Sequence, residues 1–266
     1  MLTNSSFFNI ADVNHPKLFE PDDYVWESLN NLKEYMLDIP DQSGYSTIFK
    51  KDQPLERTII IHEDNVIDGK NCNIVFGKVT AGKLEVYVND ELLEGASVLM
   101  AGACFLGGQI SLGKGVFVES GAMIKSPAII GDWNEIRQGA YLRGHTLTGR
   151  GCVLGHATEI KHSIFLNDAK AGHFNYIGDS ILGNNTNLGA GTKFANLRFF
   201  SGNIVIRHQD DQIDTGRSKL GAILGDNTQT GCNSVTNPGA LFGKNSFVMP
   251  NATARAGYHE PGTVVR

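Results

Sequence analysis

From Leu112 onward, a large aliphatic residue returns at every sixth position. The series runs Leu112, Val118, Ile124, Ile130, Ile136, Leu142, Thr148, Leu154, Ile160, Leu166, and only Thr148 interrupts it. Four places after these aliphatics the residues are mostly small: Ala122, Ala128, Ala140, Thr146, Cys152, Thr158. A period of six fits neither a helix nor a plain alternating strand. It predicts a hexapeptide-repeat parallel β-helix, in which each hexad is a short strand plus a turn and three hexads close one triangular coil. The aliphatic points into the prism, and Gly and Asx residues take the turns. Successive coils then lie about 4.8 Å apart. The phase slips near Ala171 and recovers through Ile177, Leu182, Leu188 and Phe194. It restarts at Leu224, Thr230, Thr236, Phe242 and Val248.

Two regions lack the period. Residues 1–97 are expected to form a small N-terminal α+β cap, with the β-helix over 98–266. Within the cap, Trp26, Leu29, Leu32, Tyr35 and Met36 stand at helical spacing between Asp22 and Leu37, as core packing requires. RTIIIHED, NCNIVFG and KLEVYVND read as strands. The second break, about 197–220, is too long for a turn. It reads as a loop or hairpin thrown out from the prism, either functional or a flap or subunit contact.

The net charge of −5 gives no basic footprint, which argues against nucleic acid as a general partner. Any anion site must be a local cluster. Gly is abundant at 31 residues while Pro stays at 8, which suits turns rather than disorder. The four cysteines are scattered, with no CxxC pair, and read as reduced thiols. No apolar run reaches the roughly 18 residues of a membrane span. The expectation is a cytoplasmic protein without a membrane partner.

Stacking converts sequence distance into proximity. Arg143 and Lys161 are 18 apart, each one place after an inward aliphatic, so two cations project from adjacent coils. At about 5 Å and an effective dielectric of about 20 their repulsion is about 3 kcal/mol. A bridging phosphate relieves it; splaying into water or pairing with Glu159 does so too. The segment KAGHFNYIGD places His173, Asn175 and Tyr176 where a repeat wants small or aliphatic residues. Counted through the slip, His173 lies over His156 and under Ala190. A neutral imidazole is the usual base near pH 7.

The stretch GHATEIKHSIFLNDAKAGHFNYIGDSILGNNTNLGAGTKFAN resembles the C-terminal acetyltransferase domain of the bifunctional bacterial glucosamine-1-phosphate N-acetyltransferase/N-acetylglucosamine-1-phosphate uridylyltransferases. SKLGAILGDNTQTGCNSVTNPG is similar to the sugar-1-phosphate nucleotidylyltransferases with a β-helix tail. The resemblance covers about 100–250. It implies a left-handed β-helix, a homotrimer, acetyl-CoA as acyl donor and an amino-sugar phosphate or sugar nucleotide as acceptor. By position it implies His173 as general base, Glu159 and Asn196 as residues that polarise or orient its surroundings, and Arg143, Lys161, Tyr176 and Asn187 as sugar-phosphate binders. Ala190 matches a backbone N–H near the reacting carbonyl, and Cys232 stands where the family has a serine on the acetyl-CoA side. A family tyrosine is Leu197 here. Nothing in 1–97 resembles the uridylyltransferase domain. A non-catalytic trimeric scaffold that binds a sugar phosphate or sugar nucleotide is the alternative. A minor one is a zinc enzyme of the β-helix carbonic-anhydrase kind, using His145, His156, His162 and His173; no metal is expected under the leading reading.

Overall fold

The structure, a computed structural model, describes residues 2–37, 52–63 and 65–266. Residues 38–51 of the expected N-terminal unit, and Asp64 at the end of RTIIIHED, lie outside the described residues.

Three sheets wrap around one axis: an eleven-stranded first face, parallel except for its first two strands, and eight-stranded, wholly parallel second and third faces. Each coil contributes one strand to each face in turn, as with Phe117–Val118, Met123–Lys125 and Ala128–Ile130. The chain is thus a parallel β-helix of the left-handed, hexapeptide kind. Val118, Ile124, Ile130, Ile136, Leu142, Leu154 and Ile160 all lie in its interior, 0–2% exposed. The small residues four places later are as deeply buried, because a bulkier side chain would not fit beside the turn.

The register corrects the expected phase. Leu142 pairs with Ile160, a step of 18, but Thr148 pairs with Phe165, a step of 17. One residue is missing at the corner between the second and third faces, well before Ala171. Phe165 therefore points into the prism, while Leu166 packs outside it. The same corner is short again in the next coil, where Ile177 is followed by Leu182. The corner residues His162 and Asp179 take left-handed φ values of 48° and 50°.

The third face is apolar on both sides. Its outward Leu147, Ile164, Ile181, Ile223 and Leu241 meet Phe7, Phe8, Leu18, Phe19, Trp26, Leu29, Leu32 and Met36. Helices α1 (Asn4–Phe7) and α2 (Glu27–Leu37) carry much of that layer along the flank of the prism. Strands buried on both sides read as near-continuous apolar runs, as AII, SIF and AIL do here. Ile59–His62 instead closes the first coil, pairing antiparallel with Ser97–Leu99. Asn73–Phe76, Leu84–Val88 and Glu91–Leu92 form a separate three-stranded sheet.

The 197–220 segment is a hairpin, Val205–His208 against Asp211–Asp214. Its Ile204 and Ile206 join the apolar layer on the third face. The four cysteines are free. Burial pushes the Cys152 thiol up to about 12, so it is inert packing. No helix among the described residues is long and apolar enough to cross a membrane.

Candidate functional site

The shortened corner is where charge collects. Arg143 and Lys161 follow the paired Leu142 and Ile160, so they stand one above the other. One coil on, Gly178 pairs with Lys161, and the turn brings Asp179 beneath it. Asp179 is only 5% exposed, yet it accepts four hydrogen bonds. They come from Lys161 Nζ at 2.9 Å, Asn196 Nδ2 at 2.7 Å, His162 Nδ1 at 3.0 Å and Arg217 Nη2 at 3.1 Å. Arg217 lies three residues past the hairpin's return strand and also donates to Asn30 Oδ1 on α2 at 3.0 Å. One guanidinium thus ties hairpin, helix and coil corner together.

Burial by itself would raise the Asp179 pKa, but hydrogen bonds from His162, Lys161 and Asn196 outweigh it and hold the carboxyl well below its usual range. Burial lowers both His162 and His145, and each is further depressed by the charge of Lys33. A neutral His162 donates Nδ1–H to Asp179, which leaves Nε2 as a buried lone pair with no partner. Such an atom costs about 1–3 kcal/mol. The His145 and His162 rings meet edge to face at 5.8 Å. Above them opens a cleft of about 530 Å³ whose walls are this corner, α2 and the hairpin's return.

Glu159 pairs with Arg143 at 2.7 Å, in an exposed bridge worth about 1 kcal/mol or less, so Arg143 stays available to a ligand. Tyr176 lies next to Glu159 in the second face, and its hydroxyl donates to Asn196 Oδ1 at 3.4 Å. Arg143, Glu159, Lys161, Tyr176 and Asn196 therefore form one connected patch.

The remaining candidates lie elsewhere. His173 ends the strand Lys170–His173, pairs with His156, and sits at the corner between the first and second faces. Ala190 stacks on it, since Gly191 N–H donates to the His173 carbonyl at 3.0 Å. The Ala190 N–H meets no protein acceptor among the described residues. Exposed Cys232 follows one coil on, where Asn233 N–H donates to the Ala190 carbonyl. Asn187 lies on the first face, in register with Lys170. Within one chain, His173, Ala190 and Cys232 thus line the opposite edge of the second face from Arg143 and Lys161. Neither Glu159 nor Asn196 bonds to the His173 ring. Asn175 is a turn residue: it donates to the Gly189 carbonyl at 2.9 Å and is 3% exposed.

The four histidines split between these two corners, and no group of three metal-binding side chains occurs among the described residues. Sequence reasoning missed Asp179, Arg217 and Lys33, and it saw His162 only as a zinc ligand. A 17-residue step from His145 to His162 to Asp179 was the available signal, hidden because the slip was placed about half a coil late, near Ala171.

No family model matches the chain. A bifunctional sugar-1-phosphate nucleotidylyltransferase/acetyltransferase of Sulfurisphaera tokodaii is 34% identical over 163 residues, 54% of this chain and 41% of that protein. A bifunctional protein GlmU of Methanococcus aeolicus is 38% identical over 112 residues, 42% of this chain and 27% of that protein. The chain spans less than half the length of these curated relatives. Among solved structures, the UDP-N-acetylglucosamine acyltransferase of Francisella novicida aligns at a TM-score of 0.35 and 16% identity, over 59% of this chain and 60% of that one, too distant to bear on the site. Over about half its length, then, the chain is similar to the bifunctional sugar-1-phosphate nucleotidylyltransferase/acetyltransferases, and the resemblance carried by its motifs is borne out.

Proposed function

We propose that this protein transfers an acetyl group from acetyl-CoA to the amine of an amino-sugar-1-phosphate or a nucleotide-activated amino sugar. The observation that carries this reading is the stacked Arg143 and Lys161 at the mouth of a cleft, with Tyr176 and Asn196 beside them. Two cations one coil apart grip a phosphate. Tyr176 and Asn196 offer hydrogen bonds to sugar hydroxyls.

The chemistry belongs to the other corner. His173 Nε2 or Nδ1 takes a proton from the sugar amine as its nitrogen attacks the thioester carbonyl. The C–N bond forms, the C–S bond breaks, and the CoA sulfur leaves with the proton that His173 returns. The unpartnered Ala190 N–H is a donor for the oxyanion that develops. Acetyl-CoA supplies the acyl group; the residues that suit it here are Ala190 and the exposed Cys232.

Because His173 and Arg143/Lys161 sit at opposite edges of one face, a single protomer does not bring base and phosphate grip together. A homotrimer that sets the His173 corner of one copy against the Lys161 corner of the next does. The third face is already covered by residues of the same chain, which leaves the first and second faces for that contact.

The test is thiol release from acetyl-CoA with glucosamine-1-phosphate, in wild type and His173→Ala. Sugar-dependent release that falls about 10²-fold or more in the variant supports the reading. Unchanged release removes His173 from it. Sugar-phosphate binding without any release favours the scaffold alternative.

A further inference from the structure

We propose that the cleft between the shortened corner, α2 and the hairpin holds two phosphoryl groups, so that the acceptor is a diphosphate-linked amino sugar rather than a sugar monophosphate. The inference rests on the function proposed above and narrows its substrate.

Five cations border the cleft: Lys33, Arg143, Lys161, Arg217 and Lys219. Asp179 is the one carboxylate among the residues that line it, and its lone charge is shared by Lys161 and Arg217. Glu159, just outside, answers Arg143. Lys33 and Lys219 are left. Neither ammonium makes an ion pair or hydrogen bond among the described residues. Burial keeps His145 and His162 neutral at pH 7, so the surplus positive charge is carried by lysine and arginine.

The cations also come from separate segments. Arg143 and Lys161 follow residues paired on successive coils, whose backbones lie about 4.8 Å apart, so both side chains can donate to one phosphoryl group placed between them. Lys33 stands on α2, one turn beyond Asn30, which receives Arg217. Lys219 stands on the hairpin's return, opposite Leu197. One phosphoryl seated on Arg143 and Lys161 leaves these two lysines facing the cleft without an anion. A second phosphoryl, linked to the first, supplies one. The sequence places both lysines outside the β-helix proper, so the device belongs to the flanking helix and the insertion.

The test compares inorganic pyrophosphate with orthophosphate by calorimetry at fixed ionic strength, on the full chain and on Lys33→Gln/Lys219→Gln. Both lysines are exposed, so the double variant keeps the fold. Wild type is expected to bind pyrophosphate at least about tenfold tighter, about 1.4 kcal/mol. The double variant is expected to lose that preference while its orthophosphate affinity stays within about twofold. Equal affinities in wild type overturn the proposal. So does a variant that weakens both anions alike, which marks a diffuse field instead of a second seat. Acetylation of a hexosamine 1-phosphate as fast as of a nucleoside-diphosphate hexosamine also overturns it, while leaving the acetyltransferase reading intact. Loss of that reading, with the pyrophosphate preference and its lysine dependence retained, leaves a diphosphate-binding site.

Discussion

Asp179 is a carboxylate with four donors and almost no water. Its stabilising contribution is present above the unfolded carboxylate pKa of about 3.9 and is lost as pH falls through its lowered folded value. His162 and His145 act at higher pH. Their folded pKa values are depressed, so below about 6.5 the unfolded chain takes up protons that the folded chain refuses. Stability is therefore expected to fall from about pH 6.5 downward and again below about pH 4. Urea titrations across that range check it, and a flat profile above pH 4 removes the histidine part. Asp179→Ala leaves Lys161 and Arg217 without their anion and is expected to cost about 3–5 kcal/mol. The stacking of Arg143 and Lys161 was legible, because the 18-residue step follows from the repeat itself. Asp179 was not, because an Asx at a turn looks like any other Asx until the register is known to a single residue.

At the scale of elements, the aliphatic hexads carry the prism and the shortened corner carries the site. Leu154→Ala removes an interior side chain from the middle of the stack, and a loss of about 2–5 kcal/mol in chemical denaturation is expected. The link from α2 to the coil is narrower. Apart from apolar packing it rests, among the described residues, on the Arg217–Asn30 bond and the 3.4 Å bond from Asn30 to the Thr215 carbonyl. Arg217→Met is expected to speed amide exchange in α2 and the hairpin while leaving the coils protected; uniform protection would show that packing alone holds the helix. The period of six was plain in the sequence, as were a helix between Asp22 and Leu37, observed as Glu27–Leu37, and the strands around Ile59–Ile61, Asn73–Phe76 and Leu84–Val88. What the sequence hid was that residues 2–37 lie along the third face. The clue lay in strands apolar on both sides, but their extra apolar residues read equally as interior ones, which is how Leu166 was placed inside.

For the whole molecule, the three faces are unequal. The third is covered by the chain's own layer. The first and second still show Tyr141, Phe247 and Val264, with Phe174 and Met249 at the corner between them. Light scattering on the full chain is expected to give the mass of three copies, and a monomer at micromolar concentration would remove the trimer from the proposed mechanism. The shortened corner has a further consequence, for builders of β-solenoids. A regular 18-residue coil has convex corners, so a pocket on it needs a departure from the repeat. Here His162 and Asp179, one at each of two successive shortened vertices, form part of a cleft whose other walls are α2 and the hairpin's return. One residue fewer at a vertex in consecutive coils leaves the strand pairing on both sides intact and turns His162 and Asp179 toward each other. A designer who wants a binding site on a synthetic solenoid has subtraction available as well as addition.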